Sequence, residues 1–99
     1  MKTFARHRTL AELKPLCAQR NIAVDTTRHD VIASDFITLS GKFGIVDLMV
    51  IYSVFNGTFY GETSDGLAFN ERSPFDDTPW FAALLELLYV AKPVEAAHG

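Results

Sequence analysis

The apolar residues of this chain follow two different periods along its length. Over residues 10–17 three leucines and a cysteine recur at helical spacing, and from Asp35 onward the period changes to two in segments separated by glycine-bearing turns. A second apolar run over residues 79–92 is long enough for a terminal helix. The pattern predicts an α+β fold, an antiparallel four-stranded meander flanked by an N-terminal and a C-terminal helix in the order α-β-β-β-β-α.

Capping signals mark the start of the first helix. Thr9 followed by Glu12 forms a capping box, in which each side chain hydrogen-bonds the backbone near the other, so the helix should begin near residue 10. Pro15 lies past the first turn, where it removes a helical hydrogen bond, and predicts either a kink or a restart. Asn21 is the expected stop. Residues 22–34 contain short apolar pieces without a clear period, and one short edge strand is the element expected there.

The terminal helix has equally clear boundaries. Thr78 is the expected N-cap, Pro79 the first helical residue and Pro93 the stop. Between the two prolines, large apolar side chains cover well over half of the helix circumference, so this helix needs protein cover on more than one side.

Two glycine-bearing turns should fix the register of the meander. Asn56-Gly57 is the strongest hairpin signal, and as a two-residue turn it pairs Val54 with Phe59. Asp65-Gly66 repeats the signal and, if it also closes a two-residue turn, places Glu62 opposite Phe69.

Sorted by this register, both faces of the meander are apolar. One face carries Val46, Leu48, Val50, Tyr52, Val54, Phe59 and Ala68, and the other carries Met49, Ile51, Phe55, Tyr60, Leu67 and Phe69. Either the two helices cover one face each, or one face is left uncovered. We favour the second arrangement, because an uncovered apolar face marks an interface. The expected interface, with a twin protomer or a target, consists of Met49, Ile51, Phe55, Tyr60 and Phe69.

Length and composition fit one domain, residues 1–99, with frayed ends at 1–8 and 94–99. The chain has 48% hydrophobic and 21% charged residues, and its apolar runs fall short of a membrane span. The start lacks the apolar core of a secretory signal, so a cytoplasmic location is expected.

Charge is unevenly distributed. Residues 1–28 carry a net charge of +4 and residues 29–99 a net charge of −7. An acidic excess favours a basic protein partner over direct contact with nucleic acid. The expected partner-binding residues are the acids Asp65, Glu71, Asp76 and Asp77, and the partner itself could be a basic nucleic-acid-binding protein.

Residues that could carry chemistry are few. His7, His29 and His98 have no metal-ligand spacing, and Cys17 is best interpreted as a small buried hydrophobe, although a nucleophilic pair with His29 is an alternative. No glycine-rich phosphate loop precedes a helix. We therefore expect no catalytic residue, metal or cofactor.

The predicted order of helix, three or four strands and helix is similar in outline to a double-stranded-RNA-binding domain. That resemblance implies a basic start to the terminal helix, whereas this chain has the acidic and apolar stretch DDTPWFAALLEL there. RNA binding is thus a second alternative.

The leading hypothesis is a non-enzymatic, dimeric protein that binds a macromolecule. It would act as an inhibitor or immunity-type factor, for example a phage- or plasmid-encoded antagonist of a host defence complex. The first alternative is a small-ligand-binding or enzymatic domain with a pocket near Trp80, Tyr52 and Tyr60.

Overall fold

The computed structural model describes residues 4–26, 36–75 and 77–92, which form helices and strands along most of their length. In chain order these elements are β1 (Phe4–His7), α1 (Leu10–Gln19), β2 (Ala23–Asp25), β3 (Phe36–Phe43), β4 (Val46–Ser53), β5 (Phe59–Thr63), β6 (Ala68–Asn70), α2 (Pro79–Leu88) and β7 (Tyr89–Ala91).

The main sheet is an antiparallel meander of five strands in the order β2-β3-β4-β5-β6. An α+β fold with an antiparallel sheet is therefore confirmed, but the predicted four-stranded meander in the order α-β-β-β-β-α is wrong. The fifth strand is β2, where Ala23 pairs with Ser40 and Asp25 with Thr38. A short edge strand within residues 22–34 is thus found as expected, but it extends the meander to five strands, a pairing that three residues are too few to reveal in the sequence.

A second, two-stranded sheet also departs from the predicted order. β1 pairs with β7 antiparallel, with Arg6 opposite Val90 and His7 opposite Tyr89. Residues 4–7, expected to be frayed, are thus part of a strand, and α2 ends at Leu88 rather than near Pro93. The helix ends there because Tyr89 is extended and pairs with β1. Pro93 and residues 94–99 lie outside the described residues.

Helix α1 has the predicted capping box. The backbone N–H of Glu12 bonds the Thr9 hydroxyl, and the Glu12 carboxylate accepts from the Thr9 N–H at 3.0 Å. Pro15 lies inside the helix without interrupting it. Asn21 ends the helix in the left-handed region at φ 56°, and Ile22 N donates to Cys17 O at 2.9 Å, which is a Schellman motif.

Both helices contribute to one core on a single face of the main sheet. Phe81, Leu84, Leu87 and Leu88 from α2, with Leu13 and Cys17 from α1, are buried with the sheet residues Ile37, Leu39, Phe43, Leu48, Val50, Tyr52, Phe59 and Phe69. The arrangement with one helix on each face is therefore not found. The large apolar circumference of α2 is explained, because the sheet covers one side and α1 contacts another.

The turn between β4 and β5 is longer than predicted. Tyr52 pairs with Phe59, and Gly57 at φ 80° donates its N–H to Ser53 O at 2.9 Å. The predicted pairing of Val54 with Phe59 is wrong by two residues. Because side chains alternate with a period of two, this error leaves every residue of β4 and β5 on its predicted face.

The turn between β5 and β6 has a different effect. Gly61 pairs with Phe69 and Glu62 with Ala68, so the turn has three residues, with Gly66 at φ 93°. The Asp65 carboxylate accepts a hydrogen bond from the Thr63 hydroxyl within this turn. The predicted pairing of Glu62 with Phe69 is wrong by one residue, which exchanges the faces of Ala68 and Phe69.

Gly61 is required by the ring of Phe69. A Cβ at position 61 would lie 2.5 Å from Phe69 Cζ and 2.7 Å from the backbone oxygen of Met49. We expect Gly61→Ala to lower the free energy of unfolding by about 1–3 kcal/mol, measured by urea denaturation with Trp80 fluorescence. The same substitution should cost less in a Phe69→Leu background. An equal cost in both backgrounds would show that the ring is not the obstacle.

An ion pair makes stability depend on acid pH. Both Arg6 guanidinium Nη atoms donate to the Glu12 carboxylate at 2.7 Å, and this pairing, with the Thr9 N–H, lowers the pKa of Glu12 to about 2. In the unfolded chain the pKa of Glu12 is about 4.3. The stabilisation is therefore complete above that value and is lost as pH falls toward 2.

The test compares wild type with Glu12→Gln across this pH range. At pH 6 the wild type should have the higher free energy of unfolding in urea denaturation. The difference from Glu12→Gln should shrink as the pH falls from about 4.3 toward 2. An advantage independent of pH would contradict the ionic origin.

Candidate functional site

The face of the main sheet opposite the helices, here called the open face, carries two rows of side chains that each cross all five strands. The first row contains Ala23, Ser40, Met49, Glu62 and Ala68. The second contains Asp25, Thr38, Ile51, Tyr60 and Asn70. None of the described helices or strands covers these rows.

An apolar patch lies at the centre of the open face. Met49 is 58% exposed, Tyr60 51% and Ile51 39%, and they occupy adjacent positions on β4 and β5. Their neighbours on the outer strands are small or polar, such as Ser40, Thr38 and Asn70. The patch is therefore surrounded by polar side chains, as is typical of the centre of a protein interface.

The structure brings together three of the five predicted interface residues, namely Met49, Ile51 and Tyr60. Phe55 is exposed in the loop beyond the end of β4. Phe69 is only 2% exposed and packs against Phe59 and Phe81 on the helix-covered face. Its predicted place on the second face is wrong because the β5–β6 turn has three residues.

Three shallow depressions follow the seam between β4 and β5 on the open face. The central one, about 180 Å³, is lined by Met49, Ile51, Tyr60, Gly61 and Glu62. Toward the β5–β6 turn, a depression of about 260 Å³ is lined by Asp47, Leu48, Met49, Glu62, Thr63 and Ser64. At the other end, one of about 400 Å³ is lined by Phe36, Ile51, Thr58, Phe59, Tyr60, Asn70 and Glu71. Each depression thus combines apolar surface with at least one acidic residue.

The acidic residues predicted from the sequence do not form one cluster. Asp65 lies in the turn beyond one end of β5, whereas Glu71 Oε2 accepts from Phe59 N at 3.3 Å at its other end. The length of β5 separates the two positions by about 13 Å. Asp77 precedes α2 and is exposed, and Asp76 lies outside the described residues.

Three further acids lie on the open face, and the first of them, Asp25, is on the edge strand β2. Glu62 is opposite Met49, next to the apolar patch, and has no ion-pair partner among the described residues. Asp47 Oδ2 lies 4.0 Å from Lys42 Nζ, a loose and largely exposed pair. The alternation of Asp47, Met49 and Ile51 along β4 was the signal that could have placed Asp47 on this face.

The three aromatic residues of the predicted ligand pocket do not meet. Tyr52 is fully buried in the core, Tyr60 lies on the opposite face of the sheet, and Trp80 packs edge-on against Phe69 at the start of α2. They therefore do not line a common cavity.

Tyr52 and Tyr89 instead join the two sheets. Tyr52 Oη donates to Arg8 O at 2.8 Å and lies 3.2 Å from Leu88 O, and burial raises its pKa. Tyr89 Oη donates to Gly57 O at 2.6 Å, and burial, together with the charge of Glu71, raises its pKa to about 12. Both hydroxyls thus stay protonated and serve as hydrogen-bond donors to the backbone.

The remaining candidates for chemistry are held in structural contacts. His7 Nε2 lies 3.2 Å from Val54 O, which can only accept a hydrogen bond, so this nitrogen carries a proton. Cys17 is fully buried, as predicted, and burial raises the pKa of its thiol. His29 and His98 lie outside the described residues.

The described part of the chain contains neither a metal-binding group of side chains nor a helix that could cross a membrane. Within residues 4–26, 36–75 and 77–92, no three His, Cys, Asp or Glu side chains are grouped so that they could hold a metal ion. Neither helix of that part of the chain combines the length and apolarity needed to cross a membrane.

Fold and site together define an α+β protein with a one-sided sheet and a mixed apolar and acidic open face. No protein-family model matches the chain, and no curated protein or solved structure is significantly similar to it.

Adjacent residues of β4 should respond oppositely to a charge. Val50 is buried beneath the helices and Ile51 lies on the open face. We expect Val50→Lys to prevent folding, whereas Ile51→Lys should change the free energy of unfolding by less than about 1 kcal/mol. Circular dichroism and urea denaturation of both variants test this. Loss of folding in both would mean that the open face is covered within the protein.

Proposed function

We propose that this chain is a non-enzymatic protein-binding module that docks a macromolecular partner on the open face of its main sheet. The observation that carries the proposal is the apolar patch of Met49, Ile51 and Tyr60 at the centre of this face. In a small protein, such a patch remains in contact with water unless another molecule covers it.

The composition of the patch supports this function. Methionine and tyrosine are enriched at interface centres, where they supply large contact area, and a polar surround restricts the orientation of the partner. The patch is carried by strands rather than by a loop, so its backbone is already fixed before binding, which reduces the entropy lost on association.

Such a module acts by occupying a surface of its partner, as an inhibitor or immunity-type factor does. The occupant is either a second copy of this chain or a different protein. In a homodimer the patch would lie on a two-fold axis and contact itself.

The ligand-pocket alternative has less support. It needs Tyr52, Tyr60 and Trp80 in one cavity, whereas Tyr52 and Tyr60 project from opposite faces of the sheet. The RNA-binding alternative needs a basic N-terminal end of α2, and the described residues there are Asp77, Thr78, Pro79 and Trp80.

The test uses two isoleucines that differ in position. Ile51 lies in the apolar patch, and Ile45 lies 92% exposed in the β3–β4 turn. Wild type, Ile51→Lys and Ile45→Lys are compared by light scattering and as baits in quantitative capture from lysate of the source cells. We expect wild type and Ile45→Lys to retain a second copy or another protein, and Ile51→Lys to retain it at least about tenfold less.

The proposal would be contradicted if Ile51→Lys and Ile45→Lys had the same effect on binding. If both lose binding equally, the effect comes from added charge. If neither does, or if all three proteins are monomers that retain nothing, the patch is not a docking surface.

A further inference from the structure

We propose that the occupant of the open face is a basic segment of another protein, which places lysine or arginine side chains in the depressions between β4 and β5. This inference rests on the proposed function and specifies the chemistry of the partner. It depends on how charge and apolar surface alternate along the open face.

Carboxylates flank the apolar patch at both ends. Asp47 and Glu62 line the depression on one side of Met49, and Glu71 lines the depression on the far side of Ile51. Lys42 is the one basic residue among the described strand residues of this face, and it lies beside Asp47 rather than near Glu62 or Glu71. Arg72 follows Glu71 beyond the end of β6, so Asp47, Glu62 and Glu71 still outnumber the basic residues around the patch. This acidic excess favours cationic side chains in a partner.

The acids are also held where a ligand can reach them. Glu71 Oε2 accepts the Phe59 N–H at 3.3 Å, which fixes the carboxylate at the end of β5. Glu71 still lines the depression, and its carboxylate can accept further hydrogen bonds in addition to this one. Glu62 lies between two depressions and lines both.

The depressions have the composition that long basic side chains require. Lysine and arginine pack their aliphatic stems on apolar surface and direct their charged ends to polar groups. Here Met49 and Ile51 supply apolar walls, and Glu62 and Glu71 supply acceptors. The half-exposed ring of Tyr60 lines two of the depressions and adds a site for a cation over its face.

Spacing favours an extended segment. Met49 and Ile51 are two residues apart on β4, which separates the side chains by about 6.6 Å. Alternate side chains of an extended peptide repeat at the same distance, so a segment lying along the seam can fill successive depressions.

A second copy of the chain matches this surface poorly. Stacking two open faces would bring the carboxylates of both copies to one interface, with one lysine per copy among the described strand residues to offset them. Like charges brought together in an interface oppose association. A basic partner turns the same charges into attraction.

The experiment selects peptides that bind the intact protein. A display library of random extended peptides is panned on wild-type protein and counter-selected on Ile51→Lys, while light scattering records the mass of both. We expect wild type to be a monomer and the enriched peptides to carry lysine or arginine at alternate positions, with apolar residues between them.

The affinity of one enriched peptide is then measured by fluorescence anisotropy. Glu62→Gln and Glu71→Gln should each weaken binding by about three- to tenfold at low salt. The difference from wild type should shrink as salt is raised, because salt screens the attraction that these variants remove. The matched control is Glu86→Gln, which removes the same charge from the exposed side of α2 and should change affinity by less than about twofold.

The outcomes separate the two proposals. Enriched peptides without basic residues, or a wild-type dimer that Ile51→Lys converts to a folded monomer, would overturn the basic segment and keep the docking face. A Glu86→Gln effect as large as that of Glu62→Gln would also overturn it, because the attraction would then come from the overall negative charge of the protein. No peptide selective for wild type, together with a monomeric protein, would overturn the docking face itself.

Discussion

The packing of one helix against one face of the sheet determines the rest of this structure. Phe81 of α2 contacts the rings of Phe59 and Phe69 from the sheet, of Phe75 before the helix and of Trp80 in its first turn, with centroids 5.6–6.2 Å apart. Each ring adds directional contacts to the burial of apolar area. Both ten-residue helices lie on this side of the sheet. The side chains of the opposite face are therefore in contact with water or with a partner.

The sequence predicted the local elements better than their pairing. The capping box at Thr9, the proline that opens α2 and the faces of β4 and β5 depend on nearby residues, and all three predictions are confirmed. The faces were correct although the turn at Asn56-Gly57 was misjudged, because an error of two residues preserves alternation. The sequence Asp65-Gly66 is compatible with both a two-residue and a three-residue turn. The three-residue turn is selected because it buries Phe69 beneath α2, and this contact joins separate elements of the chain.

The candidate site was predictable only in part for the same reason. Met49, Ile51 and Tyr60 lie on strands whose successive side chains point to opposite faces, so their grouping could be anticipated. The acidic residues were grouped by closeness in sequence, whereas β5 separates Asp65 from Glu71. Glu62 is the acid nearest the patch because it lies opposite Met49 on the neighbouring strand. Its place could not be predicted, since cross-strand neighbours depend on the register of the two strands.

The pairing of β1 with β7 also bears on how the chain folds. The hairpins of the main sheet join residues close in sequence, so they can form early at little cost in chain entropy. The pairing of Arg6 with Val90 instead closes a loop that contains nearly all of the described chain. This pairing is stabilised only when the Tyr52 hydroxyl and Leu88 already occupy their native positions beside it. We therefore expect the small sheet to form after the hairpins of the main sheet. We also expect that it can open separately in the native state, because the strand pairs of the main sheet do not include β1 or β7.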